Sequence, residues 1–157
     1  MPREAGKKET LNRILPWVLI PSVFLLDRLL KIWFLVRFEE AQTLPVWPGV
    51  FHLTRVNNTG AAFGLWRGAS GALTVFSALS VLLILAYLSG FLRRRPSQTL
   101  AWALVAGGAL GNLYDRLTLG YVVDYLDFRV WPVFNLADAF ICAGVSWIFF
   151  RYASHSH

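Results

Sequence analysis

Four long apolar stretches, at about residues 14–36, 69–92, 100–119 and 134–150, alternate with polar segments along the 157-residue chain. Each approaches the roughly 20 residues that a helix needs to cross the hydrocarbon core of a bilayer, so the pattern predicts four transmembrane helices. Residues 37–68 read differently. Short apolar–polar alternation through Val50, Phe51, His52, Leu53, Thr54, Arg55 and Val56 is punctuated by Pro45, Pro48, Gly49 and Gly60, which predicts a small strand-rich platform on the outer surface. Residues 120–133 form a second polar-aromatic segment, and Arg93, Arg94, Arg95, Pro96 and Ser97 form a basic turn. With no internal repeat and no low-complexity tract, residues 1–157 read as a single integral-membrane domain.

Composition strengthens this reading: 56% of residues are hydrophobic and only 15% charged, and the mean hydropathy is +0.50. A chain so apolar is not an ordinary soluble domain. The net charge of +6 resembles a nucleic-acid signal until its placement is considered. With a cytoplasmic N-terminus, the inner side carries Arg3, Lys7, Lys8, Arg13, Arg93, Arg94, Arg95 and Arg151, against Arg37, Arg55, Arg67 and Arg129 outside. Eight against four sets both termini in the cytoplasm, so no nucleic-acid partner is expected. The first stretch is read as a retained helix rather than a cleaved secretory signal. It is long, contains Asp27, Arg28 and Lys31, and lacks a small-residue cleavage pattern after it. One cysteine excludes a disulfide framework, and with three histidines, two of them in the last three residues, it leaves little for a metal site. Neither metal nor cofactor is expected.

Ionisable groups at membrane depth are costly and face a bundle interior or a water-filled cavity. Asp27, Arg28, Lys31, Asp115, Arg116 and Asp138 all need such a reason. Asp27 and Lys31 are four apart on one helix face, which fits either a structural ion pair with snorkelling toward the interface or a direct role in a site. In the third stretch Ala103, Gly107 and Gly111 recur every fourth position, where another helix can approach closely. Asp115 continues that line, and Asn112 and Arg116 lie beside Gly108, so tight packing leads outward into a polar cluster; a hydrogen-bonded clamp is the favoured role for Asp115 and Arg116. Asp124 follows in the outer connection and Asp138 lies about one turn into the fourth stretch, so both carboxylates reach the outer interface. Two carboxylates close together at a partly dehydrated site share a proton near neutral pH. That suits water activation for peptide hydrolysis, though the same pair also fits structural carboxylates or a proton relay.

Rival chemistries lack parts. Ser70, between Gly68-Ala69 and Gly71, has no histidine in any span to act as its base and reads as a turn at the start of a helix. His52 stands alone, Cys142 is expected to pack mid-span, and Trp47, Trp66 and Trp131 read as interfacial belt residues, with substrate lining as an alternative for them.

Five blocks in order then carry a resemblance: Asp27-Arg28-Leu29-Leu30-Lys31; Asn58-Thr59-Gly60-Ala61-Ala62-Phe63; Gly107-Gly108-Ala109-Leu110-Gly111-Asn112-Leu113-Tyr114-Asp115-Arg116; Val122-Val123-Asp124-Tyr125; and Phe134-Asn135-Leu136-Ala137-Asp138. Spread over nearly the whole chain, they resemble bacterial lipoprotein signal peptidase, or signal peptidase II. The resemblance implies an aspartic endopeptidase of the inner membrane that removes signal peptides from diacylglyceryl-modified prolipoproteins, cutting before the lipidated cysteine. It implies Asp124 and Asp138 as the catalytic pair. Asn58, Gly60, Asn112, Arg116, Asn135 and Ala137 would support that pair or position substrate, with Asp27, Lys31 and Asp115 as structural polar residues. The implied fold is all-α, four transmembrane helices with a small extracytoplasmic β-cradle and a short surface helix. Implied partners are the diacylglyceryl-prolipoprotein, membrane lipid and a globomycin-type inhibitor, and the chain is expected to be a monomer. Leu30, where the family often has Thr, and Tyr125, where Phe is common, depart from the pattern without touching the pair. A small proton-coupled transporter or membrane assembly factor is the alternative, but paired broken helices in repeated halves are missing.

Overall fold

The computed structural model describes residues 2–60, 70–90 and 98–154, with side chains from residue 14 onward. In chain order the elements are α1 (Pro2–Arg37), β1 (Thr43–Trp47), β2 (Phe51–Asn58), α2 (Ser70–Leu88), α3 (Thr99–Thr118), β3 (Val122–Asp127) and α4 (Leu136–Ala153). Ala61, Ala62, Phe63, Trp66, the basic turn at residues 93–95 and the side chains of Ser70 and of the basic N-terminal residues lie outside the described residues. No short surface helix occurs among the described ones.

The arrangement is inverted relative to a soluble domain. Val36 is 76% exposed, Phe76 70% and Leu83 64%, whereas Asp27, Lys31 and Asp115 are fully buried. Apolar side chains turned outward and charges turned inward are what a bilayer solvent demands. Two helical windows, Gly71–Leu88 with mean hydropathy 2.2 and Leu136–Ala153 with 1.3, are long and apolar enough to cross a membrane. All four apolar stretches contain helices; α1 and α3 carry Asp27, Arg28, Lys31, Asp115 and Arg116, which lower their hydropathy, and neither contains such a window among the described residues.

Helix α3 is central and packs against α1, α2 and α4. Its small residues form two lines rather than one. A Cβ at Gly107 would lie 2.7 Å from Val23 Cβ on α1, and one at Gly108 would lie 2.5 Å from the Ala137 carbonyl on α4. Nothing larger than hydrogen fits either contact, so α1 and α4 both approach the α3 backbone closely. At the other end of the α3–α4 contact the roles reverse: a Cβ at Gly144 would lie 2.6 Å from the Ala101 carbonyl.

The three strands form an antiparallel sheet in the order β1-β2-β3. The platform expected from residues 37–68 is therefore only two-thirds of the sheet, because β3 comes from residues 120–133, read from sequence as a connection. Helix boundaries shift for local reasons. α2 gives way to Gly90 at φ 86°, earlier than the expected residue 92, and α4 begins at Leu136 rather than 134 because Asn135 is its N-cap.

Candidate active site

The sheet register delivers the first carboxylate. Antiparallel pairing sets Val56 opposite Asp124 and Asn58 opposite Val122. From there the Asn58 amide donates a 2.8 Å hydrogen bond to Asp124 Oδ2, and Asn58 Oδ1 accepts from the Gly60 N–H at 3.0 Å. Asp124 is thus held on a strand, by a side chain that a small-residue turn fixes in place.

The second carboxylate sits in the first turn of α4, where backbone N–H groups have no partner within the helix. Each of the first three finds one elsewhere. Leu136 N–H donates to the Tyr125 hydroxyl on β3 at 3.1 Å, Ala137 N–H to Asp27 Oδ1 on α1 at 3.2 Å, and Asp138 N–H to the Asn135 side chain at 3.0 Å. Asp138 Oδ2 accepts in return from the Asn135 N–H at 3.3 Å, closing a capping box. Its other oxygen accepts from the Asn112 amide on α3 at 2.7 Å.

Asn135 joins the two carboxylates. While its Oδ1 caps α4, its Nδ2 donates to Asp124 Oδ1 at 2.6 Å and to Asn112 Oδ1 at 3.1 Å. Below this lies Lys31, whose ammonium reaches Asn112 Oδ1 at 2.8 Å and forms ion pairs with Asp27 and Asp115, both at 2.9 Å. The Asp27–Lys31 pair is as expected, but snorkelling is overturned: Lys31 is fully buried. Three acceptors converge on it inside the bundle, whereas water at the interface would offer only hydration. Asp115 also binds Arg28 and the Val123 N–H, the latter at 3.1 Å, and so ties α1, α3 and β3 together as the expected clamp. Arg116, expected in the same clamp, instead lines the cleft below.

Burial, and then the neighbouring charge of Asp138, push the Asp124 carboxyl up to about 7, against the opposing effect of the amides of Asn58 and Asn135. A carboxyl so placed is half-protonated near neutral pH. The pair opens onto a cleft of about 740 Å³ whose polar residues are Asn58, Asn112, Arg116, Asp124 and Asp138. Its remaining wall includes Gly60, Phe128, Val130, Trp131 and Phe134. Trp131 therefore takes the lining position that the sequence left open, while Trp47 is exposed on β1. Cys142 is also exposed and lines the cleft, which corrects the expectation that it packs. It follows Asp138 by one helical turn, on the face that α4 turns to the cleft. His52 is no rival base: neither ring nitrogen has a hydrogen-bond partner. No cluster of metal-ligating side chains occurs among the described residues.

A model of the signal peptidase (SPase) II family matches residues 19–153. The chain belongs to the signal peptidase II family. The lipoprotein signal peptidase of Halothermothrix orenii is 42% identical to it over 132 residues, 83% of this chain and 89% of that one. The Trichormus variabilis lipoprotein signal peptidase is 46% identical over 137 residues, 85% of each chain. In fold, a bacterial membrane enzyme solved at 2.3 Å superposes with a TM-score of 0.82 at 23% identity, over 90% of this chain and 89% of the other. This signal peptidase II is accordingly a protease, and its apolar helices place it in a membrane. Neither a transporter nor an assembly factor is supported.

Three features of the signal peptidase II site were not read from sequence. Tyr125 stacks on Phe34 with centroids 4.2 Å apart while its hydroxyl serves α4; burial holds that phenol above its ordinary range, so it stays neutral. Arg28 lies over the Tyr114 ring, 4.6 Å from its centroid. Asn135 was chosen as a supporting residue, but its capping box was legible as well, in an Asn followed three residues later by an acid.

Proposed function

We propose that this chain removes signal peptides from diacylglyceryl-modified prolipoproteins, with Asp124 and Asp138 as the catalytic aspartates. The observation that carries the reading is the joining of two carboxylates through Asn135 at the head of a largely apolar cleft. In the mechanism one proton is shared. The ionised aspartate takes a proton from water as the water oxygen bonds to the scissile carbonyl carbon, and the protonated aspartate donates to the carbonyl oxygen. Collapse of the tetrahedral intermediate breaks the C–N bond, the departing amine takes up the proton gained from water, and one hydroxyl proton of the intermediate returns to the aspartate that had donated to the carbonyl oxygen. Asn112 and Asn135 orient the carboxylates, Lys31 and Asp27 hold those orienters, and Asn58, Gly60 and Arg116 face the substrate backbone.

All four helices cross the inner membrane as one domain, with both termini in the cytoplasm and the sheet and aspartates at the outer face. The signal helix enters laterally from lipid, acyl chains remaining on the membrane side, and the enzyme works as a monomer that a globomycin-type cyclic peptide blocks at the pair. Purified protein in detergent should cut a diacylglyceryl-cysteine peptide on the N-terminal side of that cysteine. Asp124→Asn and Asp138→Asn should each lower the rate by about a thousandfold while the helical circular dichroism is unchanged. Substantial cleavage by either variant refutes the assignment.

A further inference from the structure

Asp127 is a buried carboxylate that the mechanism does not use. It ends β3 and is followed by residues 128–133, of which Phe128, Val130 and Trp131 line the cleft. That segment opens with a three-residue γ-turn: Val130 N–H donates to the Phe128 carbonyl at 2.7 Å, and the central residue, Arg129, has φ 63°. This left-handed conformation is strained for a residue with a side chain, and γ-turns of that hand are rare. Asp127 holds it. Oδ1 accepts from the Arg129 N–H at 2.8 Å, and Oδ2 accepts from the Arg129 guanidinium at 3.0 Å and from the Thr54 hydroxyl on β2 at 2.9 Å. Partial burial works to raise the Asp127 pKa. The bonds from the Arg129 N–H, the Thr54 hydroxyl and the Arg129 guanidinium outweigh it and leave the carboxyl below 3.8, its ordinary value. Phe128 adds an apolar pin, its ring 4.9 Å from that of Phe51 on β2.

Beyond the pinned turn two apolar side chains are exposed. Val130 is 91% exposed and Trp131 59% exposed, although both line the cleft that holds the two aspartates. Apolar groups at a cleft mouth, held on a strained turn by a buried ionised carboxylate, are built to meet an apolar ligand.

We propose that Asp127 is a positioning residue that holds residues 128–133 as an apolar lip, and that Val130 and Trp131 on this lip contact the acyl-glyceryl portion of the lipid-modified substrate. The inference rests on the proposed function and adds the part of the enzyme that senses lipid. Asp127 touches neither water nor the scissile bond; it acts through the shape of the lip.

The test uses the full-length protein in detergent with two peptides that differ only in carrying long-chain or short-chain diacylglyceryl groups. Asp127→Ala is expected to raise KM for the long-chain peptide by about tenfold with kcat held within about twofold, and to narrow the preference for long chains over short ones. Arg129→Gly added to Asp127→Ala is expected to recover part of the KM loss, because glycine adopts the left-handed turn without help. A general structural defect would instead lower kcat and gain nothing from the glycine. Should Asp127→Ala fail to fold, Thr54→Val, which removes one of the three ties, is expected to raise KM by a smaller factor. Independently of catalysis, release of the lip increases acrylamide quenching of Trp131, isolated by difference against Trp131→Phe in each background. Unchanged KM, a kcat loss at constant KM, or unchanged Trp131 quenching overturns the proposal. Cleavage by the wild type reports on the functional reading, and the variant-to-wild-type comparison on the lip, so the two fail separately.

Discussion

The contact between α3 and α4 is closely packed on glycine at both ends, Gly144 against Ala101 and Gly108 against Ala137, but only one end adds polar chemistry. Near Gly144 it depends on the absence of a side chain: the helix backbones touch, and polar chemistry plays no part. Near Asn112, Asn135 and Asp138 the packing is joined by directional hydrogen bonds of 2.7 and 3.1 Å from α3 to the start of α4. Close packing sets how far apart the helices are, while hydrogen bonding sets where the carboxylate points. A peptidase needs both, yet they are separable by mutation.

Replacing Asn135 by alanine is the strongest way to break the polar end without touching either proposed catalytic aspartate. It removes the bonds to Asp124 and Asn112 and the cap on Asp138, and cleavage is expected to fall by about a hundredfold in a peptide assay, since small misplacements of reacting groups are expensive. Wild-type activity in this variant would erase the distinction between the two ends. Gly144→Ala acts on the other end. Its Cβ forces a backbone shift at Ala101, with an expected stability loss of about 1–3 kcal/mol in thermal unfolding but near-normal kcat in the folded fraction.

The pH profile sharpens the comparison at the polar end. Because Asp124 titrates at about 7 when folded and at 3.8 ordinarily, the folded chain binds the proton more tightly than the unfolded one. The stability contribution from this group therefore declines as pH rises between those values. On the proposed mechanism activity needs the shared proton and should fall above neutral pH. The Asn58 amide favours the ionised form of Asp124, so Asn58→Ala is expected to move the alkaline limb of kcat/KM to higher pH; an unmoved limb would detach Asn58 from the titrating group. The smallest effect is expected from Tyr125→Phe, which leaves the Leu136 N–H without its partner. About 1 kcal/mol of stability should be lost in thermal unfolding, with cleavage reduced less than about twofold.

The helices and Asp138 were legible because hydropathy and cost speak locally: a charged residue in an apolar stretch stands out on its own, whereas Asp124, in the polar-aromatic connection, was singled out by its position next to the outer interface and by the resemblance. β3 was not legible. Nearly all of Val122–Asp127 is buried on both faces, so the strand shows no apolar–polar alternation to detect. The inward course of Lys31 was hidden for another reason. Its spacing from Asp27 identifies one partner, but the Asn112 oxygen that draws it into the bundle lies 81 residues away in sequence. Cys142 was misread because burial on a helix at the edge of a bundle depends on which neighbour is missing, and here the neighbour is a cleft. The resemblance of the five blocks pointed to candidate supporting residues; the hydrogen bonds show what an Asn does at 112 and 135. Each uses an amide to donate and a carbonyl to accept at the same time.

The first turn of α4 has one further consequence. Its three leading N–H groups are completed by β3, by α1 and by its own cap, so Asp138 reaches its working orientation only after all of those segments have arrived. The proposed catalytic pair is therefore a coincidence detector for the assembly of α1, β3 and α4. A chain in which α1 has not yet packed carries both carboxylates but lacks the tie from Asp27 to the Ala137 N–H.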